Sequence, residues 1–184
     1  MYSHRKTAII VGALILIAYG VIGSLFLESK IMATLLELIS GAAVVGMAVL
    51  MFPILKPHNK NLTFGYAVVK TIEGVVIIVA AILLFSLIIN QETYYGIHGF
   101  HVYIFGSAFL MLAILLYKSE LVPRFIAVWG IIASTVFIAA SLINMIAGST
   151  VIPFIFSHLP IIANEIFLAI WMMVKGFNED AIVS

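Results

Sequence analysis

Lys70, Glu73, Arg124, Asn164 and Glu165 carry side chains that could build a polar centre in an otherwise greasy chain. Carboxylates beside cations can relay a proton or a cation, or hold a polar head group; they can also pair permanently and lock helices together. Lys70 and Glu73 lie three residues apart, so one helical face would carry both. Glu37, His98, His101 and His158 form a second set. Imidazole and carboxylate together suit zinc or another divalent metal, and His98 and His101 sit one helical turn apart. The run Gly96-Ile97-His98-Gly99-Phe100-His101 is not a recognised metal signature. The same residues also permit water or tyrosine hydrogen bonds, proton acceptance, or haem held between His101 and His158.

The elements that must position these groups are membrane helices. The 184 residues are 64% hydrophobic and 9% charged, where soluble domains carry about a quarter charged residues. Apolar runs separated by charged or turn-forming breaks predict spans near 7–27, 31–55, 64–89, 95–117, 122–147 and 150–175. The expected fold is an all-α, six-helix transmembrane bundle, with residues 1–184 forming a single integral membrane domain. The first run is long for a signal peptide and lacks a small-x-small cleavage site, which favours retention.

Arg5, Lys6, Lys56, Lys60, Lys70, Lys118, Arg124 and Lys175 fall on one side of the alternating spans, and Lys30 falls on the other. The positive-inside rule makes the first side, with both termini, cytoplasmic. Pro160 should bend the sixth span around His158. Trp171, Tyr117, Tyr66, Tyr94 and Tyr95 read as interfacial anchors, and Ala42 and Gly46 as a site of close helix approach.

Depth follows from a rise of about 1.5 Å per residue. Glu73 and Glu165 both fall about 14 Å from the cytoplasmic side, while Glu37, His101 and His158 fall about 10 Å from the other. The reading is therefore two separate polar layers. Arg124, opening the fifth span, is expected to join Lys70, Glu73 and Glu165.

Several chemistries are excluded. Without cysteine there is no disulfide, thiolate nucleophile or iron–sulfur site. A net charge of +1, spread over helix ends, gives no surface for nucleic acid. The membrane serines lack a Gly-x-Ser-x-Gly elbow, and Gly12, Gly20 and Gly23 make no phosphate loop.

Three stretches carry a family likeness: Leu121-Val122-Pro123-Arg124-Phe125-Ile126-Ala127-Val128-Trp129-Gly130; Asn164-Glu165-Ile166-Phe167-Leu168-Ala169-Ile170-Trp171 with Val174-Lys175-Gly176-Phe177; and Phe52-Pro53-Ile54-Leu55-Lys56 leading to Gly65-Tyr66 and Lys70-Thr71-Ile72-Glu73. Together they resemble a widespread family of prokaryotic membrane proteins catalogued as a domain of unknown function with about six helices. Lys70 stands where that family is expected to show Arg more often. The resemblance implies a multi-pass membrane protein and brings no activity, substrate or catalytic residue.

The functional expectation is a multi-pass protein of a prokaryotic plasma membrane that binds, or helps translocate, a small polar or amphiphilic ligand or an ion through an intramembrane cavity. Two alternatives stand beside it: a metal-dependent intramembrane enzyme acting on a lipidic substrate, and a structural or regulatory subunit. The expected partners are membrane lipids, with a homo-oligomer or a membrane partner subunit as further options.

Overall fold

In lipid every backbone N–H and C=O must be satisfied within its own segment, so apolar runs of this length have the helix as their stable form. The computed structural model describes residues 2–183 and contains, among them, helices and connections without strands. They are α1 (Tyr2–Ala18), α2 (Gly20–Ser24), α3 (Lys30–Leu55), α4 (Lys60–Phe85), α5 (Gln91–Ser119), α6 (Arg124–Ala147), α7 (Phe154–Ser157), α8 (Leu159–Val174) and α9 (Glu179–Val183).

Local chemistry sets the boundaries. Ser29, Asn59 and Asn90 cap α3, α4 and α5 by accepting a hydrogen bond from Met32 N, Leu62 N and Thr93 N. Pro123 precedes α6, whose other end closes on Gly148 at φ +62°. Arg5 Nη2 donates to Met173 O and Val174 O at 3.2 and 2.8 Å, satisfying carbonyls at the C-terminus of α8.

Among the described residues five helices are long and apolar enough to cross a membrane: His4–Ser24, which covers most of α1 together with α2, and then α3, α4, α5 and α6. The sixth expected span is divided. The bend anticipated around His158 is a break: α7 ends at Ser157 and Pro160 falls in the first turn of α8. With 16 residues, α8 is about 24 Å long, short of a hydrocarbon layer of about 30 Å.

The helices are greasy outside and polar inside. On α4, Phe64, Val68, Ile72, Val75, Val79 and Ile82 are exposed at helical spacing, whereas Tyr66, Lys70, Glu73 and Ile77 are buried on the opposite face. A water-soluble bundle would reverse that arrangement. Packing follows a closed circuit in which α1 meets α3, α3 meets α4, α4 meets α5, α5 meets α6, α6 meets α8, and α8 returns to α1.

The close backbone approach of α3 to a neighbour is not at Ala42, which is exposed. It lies between α3 and α4, where a Cβ on Gly41 would sit 2.8 Å from Gly74 O and one on Gly74 2.6 Å from Gly41 O. Gly46 instead accommodates Leu14 of α1. Glycine at 41 and 74 brings the two helices close enough to set Lys70 and Glu73 of α4 on the inner side of the ring.

Candidate functional site

The ring encloses a cavity of about 300 Å³, lined by residues from all of its helices. Ile15, Val44, Met47, Ile77, Phe105 and Phe137 give it apolar walls; Lys70, Glu73, His98, His101, His158, Glu165 and Tyr19 give it polar ones. A mostly apolar pocket with a few convergent polar groups is the usual form of a small-molecule site.

The polar groups are held in place from both chain neighbours and other helices. Lys70 Nζ lies 3.0 Å from Glu73 Oε1 on α4, with both side chains almost wholly buried, and 5.5 Å from the centre of the Phe105 ring on α5. Tyr19, at the break between α1 and α2, donates its hydroxyl to Glu165 Oε2 at 2.7 Å. Among the described residues no cationic nitrogen lies within ion-pair distance of Glu165.

Beside them, α5 presents two imidazoles. His101 Nε2 is 3.9 Å from Glu73 Oε1, and His98 Nε2 is 3.8 Å from Glu37 Oε2 of α3. Glu37 Oε1 accepts from Ser24 Oγ at 2.8 Å and from the Tyr94 hydroxyl, whose ring packs 4.4 Å from that of His98.

The two expected polar layers are thus one. Glu73 lies twelve residues from the C-terminus of α4 and His101 ten from the N-terminus of α5, or about 18 and about 15 Å from the end the two helices share. The apolar runs of the third and fourth spans begin near 64 and 95, whereas the helices start at Lys60 and Gln91. One extra turn on each brings the groups level.

Three expectations are corrected. Arg124 does not join Lys70, Glu73 and Glu165. As the first residue of α6 it is exposed, pairs with Glu120 and lies 5.8 Å from the Tyr117 ring, in a setting where its charge stays solvated. Asn164 is buried but is not part of the cavity lining. Its Nδ2 donates to Ile126 O at 3.0 Å, which fastens α8 to α6.

Nor do Glu37, His98, His101 and His158 converge. Among the described residues no group of three His, Asp or Glu side chains is spaced to hold a metal ion. His158 is stacked on Phe154 with Nδ1 2.7 Å from Ser157 Oγ, and Phe137 meets its ring edge-on. Zinc ligation by this set therefore lacks its geometry.

Tyr19 and Ser24 are not among the residues expected from the sequence, which points to Tyr66 and Tyr94 as membrane-interface residues. Tyr66 and Tyr94 are buried, while Tyr95 and Tyr117 are exposed. The available signal was the depth of Tyr19: in a span otherwise nearly all apolar, a phenol twelve residues in needs an acceptor.

A family model described as "Domain of unknown function (DUF4386)" matches residues 27–101 and 88–176. The chain belongs to this family. The match contains Glu37, Lys70, Glu73, His98, His101 and Glu165, and leaves Tyr19 and Ser24 of the first span outside it. No curated protein and no solved structure matches the chain. Family membership and the apolar helices together make it a membrane protein; the family description assigns no activity.

Proposed function

We propose that the ring binds a small amphiphilic ligand with a cationic head group, and helps it translocate, within a prokaryotic plasma membrane. The observation that carries this reading is Glu165, a buried carboxylate on the cavity wall whose hydrogen-bond partner is a neutral phenol and which has no cation in ion-pair reach. Glu37, Glu73 and Glu165 set three carboxylates against the single lysine, Lys70, in the interior. An unpaired carboxylate is costly in hydrocarbon, so a cation that could reach it would gain electrostatic energy. The apolar walls suit a short hydrocarbon or aromatic body.

A charge series of equal length tests the reading. Hexylamine, hexanol and hexanoate are titrated against the protein in lipid nanodiscs, with thermal stability as the readout. Hexylamine should stabilise most, and Glu165→Gln should remove most of that gain while leaving the unliganded protein folded. Stabilisation led by hexanoate would overturn the charge assignment. If Glu165→Gln only unfolds the protein, the carboxylate acts as a helix lock.

Both termini are placed in the cytoplasm in this proposal. It is supported by the basic residues at the end that carries Lys56 and Arg124, against Lys30 alone at the end that carries Ser29 and Asn90.

A further inference from the structure

Four polar atoms around α5 are buried without a protein hydrogen-bond partner: Glu37 Oε2, Glu73 Oε2, His98 Nε2 and His101 Nε2. They are not scattered. His98 Nε2 lies 3.8 Å from the orphaned Glu37 Oε2, and His101 Nε2 lies 3.9 Å from Glu73 Oε1, the oxygen that Lys70 also approaches at 3.0 Å, with the two rings 5.9 Å apart on one face of α5. These gaps are too long for a direct hydrogen bond, and buried polar atoms are rarely left unsatisfied.

We propose that His98 and His101 form a paired proton-transfer site, in which each imidazole exchanges a proton directly with the carboxylate it faces once a small side-chain rotation closes the gap between them. In each step the imidazolium Nε2–H gives its proton to the carboxylate oxygen. Imidazolium and carboxylate become imidazole and carboxylic acid, and charge within the couple is conserved. Both histidines line the cavity together with Glu73, and His98 connects its contents to Glu37, which is not part of the lining.

Every packed element contributes to the surroundings of the two rings. Glu37 comes from α3, Lys70 and Glu73 from α4, Tyr94 from α5 itself, Tyr19 from the α1–α2 break, and His158 and Glu165 from the α7–α8 segment; α6 presents Phe137. Because two carboxylates face two imidazoles, each transfer has its own acceptor. The site does not depend on the ligand reading, since the proton is its cargo.

Infrared difference spectra across a pH titration of the ligand-free protein in nanodiscs test this. Bands are assigned with His98→Gln, His101→Gln, Glu37→Gln and Glu73→Gln. In the unsubstituted protein the imidazole and carboxyl bands of a couple should change in one shared step. Each replacement should also move the midpoint of the remaining partner by about one pH unit or more. Glu37→Gln reads the couple that has no lysine in it, and keeps the test valid should Glu73→Gln fail to fold. Separate steps for the two partners, or a midpoint that stays in place when the other partner is replaced, would overturn the proposal.

Discussion

The Tyr19 hydroxyl reaches Glu165 Oε2 at 2.7 Å, joining the point where the first span breaks to the middle of α8. Tyr19→Phe keeps the ring and removes the donor. A buried acceptor deprived of its partner costs about 1–3 kcal/mol. Thermal unfolding should therefore fall measurably, and adding hexylamine should restore part of the loss by supplying a new partner. Equal losses with and without the amine would separate Tyr19 from the ligand reading.

Lys70 and Glu73 form the ion pair at the centre of the ring. Lys70→Met alone leaves a buried carboxylate uncompensated, at a cost of about 3–5 kcal/mol. The double variant Lys70→Met with Glu73→Leu should recover most of this, because replacing both members of a buried pair with apolar groups is often neutral. Denaturation in mild detergent measures both variants. A double variant no better than the single one would mean that the pair positions the bundle beyond its own charges.

Gly74→Ala places a methyl group against the Gly41 carbonyl, which is backbone and cannot rotate away. Overpacking of this kind costs about 1–3 kcal/mol. The shift should force α3 and α4 apart and weaken ligand protection as well as stability. Gly65→Ala, whose nearest contact is an ordinary 3.7 Å to Met111 Sδ, is the control and should be close to neutral.

The absence of cysteine allows a clean topology measurement. Glu28→Cys and Ser149→Cys should react with a membrane-impermeant maleimide added to intact cells, whereas Lys118→Cys should react only after the membrane is opened. All three positions are exposed. The reverse pattern would invert the orientation.

The fold was legible because lipid imposes a simple rule, and the runs of Leu, Ile, Val, Ala and Phe obey it. The site was legible in its residue types and less so in its arrangement. Depth arithmetic compares helices only as well as their starts are known, and caps such as Asn59 and Asn90 extend α4 and α5 by a turn beyond the apolar runs. That turn separated His101 from Glu73 on paper. Arg124 and Asn164 failed for another reason: spacing along one helix does not say which neighbour it meets, and the ring order is a tertiary property. Tyr94 was hidden because a phenol near a helix end serves equally as an interfacial anchor or as a donor to a carboxylate on the next helix.

The breaks at Tyr19 and His158 fall towards the same end of the ring, and the short pieces beyond them lean on different neighbours: α2 on α3, α7 on α6 and α8. Ile22, Leu25 and Phe154 from these pieces line the cavity while remaining exposed to the surroundings. A molecule dissolved among the acyl chains would meet a greasy doorway there, whereas one arriving from water would meet none of the interior charges first. Partitioning into the bilayer would then precede recognition, and a guest's oil solubility would set how fast it enters while the carboxylates set how long it stays.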